Sequence, residues 1–179
     1  ALLNAQPLGF YTTAQIVQDA RRHGIAVRPV DVRFSEVESS LEPIEPIDVQ
    51  GGAPLQQPAI RLGLREVGSL PREAAERVVA ARLRTPFRDI EDLCTRADLD
   101  ERARAALAEA DALRGLAGHR HRARWAMAGV EAGTLPLFAE LPAADEGRLV
   151  IRPPTASETT LADYASTGLT LNAHPMALL

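Results

Sequence analysis

The run Leu62-Gly-Leu-Arg-Glu-Val-Gly-Ser-Leu-Pro-Arg-Glu-Ala-Ala-Glu-Arg-Val-Val79 constrains this chain more than any other stretch. Leu62, Leu64 and Val67 make one apolar turn of helix, and Gly68-Ser69-Leu70-Pro71 is a tight turn. The spacing then predicts a second helix whose inner face carries Ala74, Ala75, Val78 and Val79. Two short helices packed through residues this small leave the hairpin's backbone N–H groups pointing outward. Amides exposed at a helix N-terminus form a ready site for an anion.

That order of elements is the helix-hairpin-helix pattern. A hairpin of this kind holds a phosphate oxygen, which positions a protein on a duplex and carries no base information. The expected fold class is mainly α (α+β): a tandem helix-hairpin-helix unit with a small antiparallel β element on its N-terminal side. Composition agrees, since 46% of the 179 residues are hydrophobic but only 4% are aromatic. Alanine and leucine supply most of the apolar side chains, which favours thin, closely packed helices. No apolar run approaches the roughly 20 residues of a membrane span, and no charged-then-apolar signal segment opens the chain. Cys94 is the single cysteine, too few for a disulfide or a cysteine-rich zinc site. The expected setting is therefore cytoplasmic, without a membrane. The chain opens at Ala1 inside an apolar phrase and stops at Leu179 inside another, as an excerpt of a longer protein would.

All 20 basic residues are arginine, against 24 acids. By region, residues 1–60 carry 4 arginines against 7 acids, residues 61–124 carry 14 against 11, and residues 125–179 carry 2 against 6. The basic excess thus falls on the segment with the hairpin. The guanidinium fork suits phosphate oxygens, although a mixed, solvated surface would read the same way.

Along the chain, Thr12-Thr-Ala-Gln15 has capping-box spacing, so a helix should run to about Arg22 or His23 and stop at Gly24. Ile25 to Val32 alternates as a strand, with Pro29 confining it to an edge. Val37 to Leu41 and Ala59 to Leu64 are two further short strands, the latter pairing back on 27–32. Phe87, Ile90, Leu93 and Cys94 share one helix face. Asp98 or Asp100 caps a following helix with Ala103, Ala106, Leu107 and Ala110 inside, giving a second, degenerate hairpin. On the next helix Arg120 and Arg124 lie one turn apart, Arg122 turns away and Trp125 takes the apolar side as a core anchor. Residues 129–160 read as a linker and Leu161 onward as a short terminal helix.

Several of these phrases also occur, in this order, in one family. They are Leu3-Asn-Ala-Gln-Pro-Leu-Gly-Phe-Tyr11, Asp19-Ala-Arg-Arg-His-Gly24 with Val27-Arg-Pro-Val-Asp-Val32, the hairpin unit, Ala110-Asp-Ala-Leu113, and Tyr164 to Pro175. The set resembles C-family bacterial DNA polymerases, above all the error-prone, damage-induced relatives of the polymerase III alpha subunit. The resemblance implies that residues 1–58 are the end of a fingers region and 59–128 a duplex-gripping tandem helix-hairpin-helix domain. Residues 129–160 would be a linker and 161–179 the lead-in to an OB domain that is missing here. It also implies nucleotidyl transfer in damage-tolerant synthesis and repair, with magnesium in the full-length enzyme and none held by this segment. The palm aspartates are not in this sequence, and Asp98-Leu-Asp100 reads as a helix cap, so the segment should be inactive alone. The implied partners are primer–template DNA and, further off, translesion partner proteins or the sliding clamp.

The residues expected to touch DNA are Gly68, Ser69, Leu70 and Arg72 at the hairpin, with Arg120, Arg122 and Arg124 beyond it. The family's hairpin has a small residue on each side of its apolar one; here Pro71 removes an amide, so phosphate contact and plain packing both remain open. A metal site at His119 and His121 is disfavoured, because neighbours two apart on a helix diverge. Cys94 reads as a packed thiol. Gly133-Thr-Leu-Pro-Leu-Phe138 loosely resembles a clamp-docking peptide; the hairpin's missing donor and the overall acidity favour the other reading, an interaction scaffold in which the hairpin pair and linker dock a protein partner.

Overall fold

The computed structural model describes residues 2–6, 9–43, 57–130, 150–172 and 175–177. Helix α1 spans Thr13–Arg22 and begins at the expected capping box. Thr12 Oγ1 accepts from the Gln15 amide at 3.3 Å, and Gln15 Oε1 accepts from the Thr12 amide at 2.9 Å. Val17 and Ala20 are buried, and Gly24 closes the element at φ +79°, a conformation open to glycine without steric cost.

Three very short strands follow: β1 (Val27–Arg28), β2 (Ser40–Glu42) and β3 (Ala59–Arg61). Their order is β1-β3-β2, with β2 antiparallel to β3 but β1 parallel to it. The small antiparallel element expected is present as the β2–β3 pair, and the direction of β1, parallel to β3, is the one correction to it. The chain reverses between β1 and β2 and again before β3, so the third strand slots between the first two and runs with β1. Strand β1 ends where Pro29 withdraws its donor, so the alternation expected over 25–32 yields two paired residues. Arg61, only 7% exposed, ties the sheet together: Nε and Nη2 donate to Glu42 at 2.8 and 3.0 Å, and Nη1 donates to the Pro29 carbonyl at 2.8 Å. These hydrogen bonds, with Arg28 adding another at 2.7 Å, hold the Glu42 carboxyl below its usual range.

Beyond β3 the chain packs on the 31–39 loop. Ser35 Oγ donates to the Leu62 carbonyl at 2.7 Å, while the Leu64 and Arg65 amides donate to Glu36 and Val37. A single 3-10 turn (Leu64–Glu66) leads into the hairpin and helix α2 (Arg72–Arg84), which buries Ala74, Ala75, Val78 and Ala81. Helices α3 (Ile90–Arg96) and α4 (Glu101–Glu109) come next, capped by Asp89 and Asp100. Short α5 (Arg114–Ala117) turns at Gly118 into α6 (Arg120–Gly129). Helix α7 (Ala156–Thr167) starts five residues before the expected Leu161, because Thr155 and Glu158 form a second capping box.

One apolar cluster runs through all of this, from Leu3 to Leu169, with Leu62, Leu64, Leu93, Leu107 and Leu113 at its centre. Helix α6 packs on α3, α4 and α5, α2 packs on α3, and α7 packs on α4. Full burial of each leucine stabilises by about 1.5–3 kcal/mol; the alanines contribute chiefly by letting the helices approach. Among the described residues no helix is long and apolar enough to cross a membrane.

Candidate nucleic-acid interface

Helix α2, at 13 residues, begins without a side-chain cap, with Pro71 at the N-cap position (φ −62°, ψ 142°). Its first backbone bond runs from the Ala75 amide to the Pro71 carbonyl at 3.1 Å, and the amides of Arg72, Glu73 and Ala74 meet no acceptor among the described residues. Elsewhere such donors are taken internally: Thr12, Asp89, Asp100, His119 and Thr155 each accept from the amide three residues on. Three aligned N–H groups at the positive end of a helix dipole form an anion site. Pro71 removes none of these three donors, which come after it in the chain. Gly68 and Ser69 are exposed and Leu70 half-buried. The Gly68 amide is already engaged, donating to the Ser166 carbonyl at 2.6 Å, so the end of α7 braces the hairpin from behind. Ser69 takes φ +64°, an unusual conformation that turns the chain into α2. Arg72 stands beside the site, 64% exposed, on surface pairs with Glu76 (3.0 Å) and Glu38 (3.4 Å).

A second hairpin joins α5 to α6, and sequence reasoning passed over it. Gly115-Leu116-Ala117-Gly118 puts a small residue on each side of an apolar one, which is the signal that could have found it. Gly118 turns the chain at φ +89°. His119 Nδ1 accepts from the Arg122 amide at 3.2 Å, and the amides of His119, Arg120 and His121 meet no acceptor among the described residues. By contrast, the α3–α4 turn, expected as the second hairpin, presents the capping carboxylate of Asp100. Its Ala97 and Asp98 carbonyls are held by Arg77 at 2.8 and 2.9 Å.

The arginines divide sharply. Of the 14 between residues 61 and 124, 11 have carboxylate or carbonyl partners within the fold, leaving Arg84, Arg102 and Arg122 exposed without one among the described residues. Arg120 corrects the expectation most clearly: it is 3% exposed, with Nη2 donating to Asp163 at 2.6 Å and Nη1 to the Thr159 carbonyl at 3.2 Å. Its guanidinium joins α6 to α7 and does not face solvent. Arg124 lies on the surface, paired with Glu109 at 3.1 Å, and Arg122 is exposed. Trp125 is 56% exposed and is not the core anchor expected of it. Helix α6 buries the stripe Arg120, Ala123 and Met127, which leaves the indole outside. Cys94 is packed as expected, its Sγ 3.3 Å from the Met127 sulfur, and burial pushes the thiol up to about 11.

Among the described residues no group of three His, Cys, Asp or Glu side chains stands together as metal ligands would. The clamp-like phrase at 133–138 lies outside the described residues.

Comparison with known proteins places these features. The chain is 52% identical over 179 residues to an error-prone DNA polymerase of Pseudomonas syringae pv. syringae (strain B728a), covering all of this chain and 17% of that relative. It is 50% identical over 188 residues to an error-prone DNA polymerase of Methylococcus capsulatus, and 53% identical over 183 residues to one of Xanthomonas campestris pv. campestris (strain B100). Those matches cover 100% and 99% of this chain and 18% and 16% of the relatives, so the chain spans about a sixth of the length of the curated proteins it resembles. A family model described as helix-hairpin-helix motif matches residues 24–123. With more than half its length matched by that model, the chain belongs to the helix-hairpin-helix family.

Proposed function

We propose that this chain is a duplex-DNA-holding, non-catalytic segment of an error-prone DNA polymerase used in damage-tolerant synthesis. The observation that carries the reading is the open N-terminus of α2, where the Arg72, Glu73 and Ala74 amides face outward with no acceptor among the described residues. The α5–α6 hairpin supplies a second set, with Arg122 beside it. Each set takes one phosphate, and neither reads a base, so binding is indifferent to sequence. The duplex-holding unit is assigned to residues 59–128, in a cytoplasmic enzyme. Nucleotidyl transfer and the magnesium it requires are assigned to the longer polymerase. The interaction-scaffold reading, with a translesion protein or the clamp as partner, rests on the overall acidity of the chain and on the amide that Pro71 lacks.

A salt titration with blunt duplex tests the proposal. Counterion release gives a slope of log K on log salt of about −0.9 per phosphate neutralised by a cation. Arg72 and Arg122 are the two cations beside the amide sets, so the slope should be about −2, well below that of a protein with a broad basic surface. Absence of binding at low salt would remove the proposal.

A further inference from the structure

The outer face of α6 carries a groove that duplex holding leaves unused. His121, Arg124, Trp125 and Ala128 follow one another at helical spacing along that face, and Ile151 and Arg152 form the opposite wall. The space between them, open to solvent, is about 460 Å³. The second wall is pinned in place: His121 Nδ1 and the Arg152 carbonyl are 2.9 Å apart, and Arg152 pairs with Glu158 at 2.7 Å. Trp125, the only tryptophan of the chain, is 56% exposed there. An indole half-open to water, beside two guanidinium groups, offers a flat stacking face flanked by positive charge.

We infer that this groove takes one base of single-stranded nucleic acid, stacked on Trp125, with its backbone phosphates on Arg124, Arg152 and Arg122. The charge argues for this occupant. Arg124 and Arg152 are 60% and 61% exposed and held only by surface carboxylates, so a phosphate can replace those partners. Arg122 has none to lose among the described residues. Position argues the same way. Trp125 lies four residues along α6 from His121, about 6 Å at the helical rise, so a strand whose phosphate sits on the free amides at the start of α6 passes directly over the indole. Aromatic platforms flanked by cations bind single strands without sequence preference, since every base has a stacking face. The inference deepens the duplex-holding reading by adding an unpaired strand beside the duplex, and it rests on that reading.

Trp125 reports on its own occupancy. Titration of the chain with oligo(dT) should quench its tryptophan emission to saturation, while blunt duplex should bind, by fluorescence anisotropy of labelled DNA, with little quenching. Trp125→Ala should weaken oligo(dT) binding by about 5-fold or more and leave duplex affinity unchanged. Oligo(dT) bound with unaltered emission, or bound equally well by Trp125→Ala, would overturn the inference and spare the duplex reading. Failure of both DNAs to bind would overturn both. Blue-shifted emission that oligo(dT) leaves untouched would mean that protein covers the groove, and that result also overturns the inference.

Discussion

Replacing Arg120 with alanine separates a structural arginine from a DNA-binding one. Arg120 is 3% exposed, its partner Asp163 is 15% exposed, and the contact is 2.6 Å. Removing one member of a buried pair costs about 3–5 kcal/mol, because the remaining charge is stranded. Here Asp163 Oδ2 keeps hydrogen bonds from Thr170 Oγ1 at 2.8 Å and Asn172 Nδ2 at 2.9 Å, so the lower end, about 3 kcal/mol, applies. For a chain of this length 1 kcal/mol moves Tm by about 2–4 °C, which puts the expected loss at about 6–12 °C by circular dichroism. The same variant, held well below its Tm, should bind duplex with an unchanged salt slope, since no phosphate contact is lost. A Tm within about 2 °C of the parent, or a slope shallower by about one, would refute the internal assignment and return Arg120 to the interface.

Other consequences are equally open to measurement. Gly63→Ala should cost several kcal/mol in denaturant unfolding, because the added carbon would sit 2.6 Å from the Ser39 nitrogen and the Val37 oxygen, both fixed backbone. Gly115→Ala should cost less, since the three nearest atoms to the added carbon all belong to the end of the Arg33 side chain, which can swing away. The Cys94 thiol, raised to about 11 and buried, should resist a thiol reagent at neutral pH in the folded chain and react at once in denaturant. Glu158, lowered to about 2 by Arg152 and the Thr155 amide, helps cap α7. Its contribution is complete above the ordinary glutamate value of 4.5 and lost as pH falls through about 2, so an NMR titration of its carboxyl should show a midpoint far below an ordinary glutamate.

What the sequence disclosed was local, and what it concealed was long-range. Thr12 with Gln15, Asp100 and Gly24 announce helix ends because cap and helix are adjacent in the chain. Thr155 with Glu158 has the same spacing but sits behind two prolines, and the linker composition masked it. Strand direction was illegible, since elements of two or three residues carry no alternation long enough to fix a partner. Arg120 and Arg124 look alike in sequence, and Asp163, which draws one of them inside, lies 43 residues from Arg120. The indole's exposure was partly legible: Ala123 and Met127 mark the buried stripe of α6, and Trp125 falls off it. The open start of α2 became visible only when the caps of α1, α3, α4, α6 and α7 had found their amides, a fact about the whole fold.

Pro71→Asp tests the central claim most directly. Pro71 already has the extended backbone of an N-cap, so an aspartate there can take an amide of α2 with its own carboxylate. The chain should become more stable by about 0.5–2 kcal/mol while its affinity for blunt duplex falls at least about tenfold, as a fixed carboxylate replaces phosphate. Stability and DNA affinity moving in opposite directions is the predicted result. A stabilised chain that binds duplex as well as its parent would contradict the account.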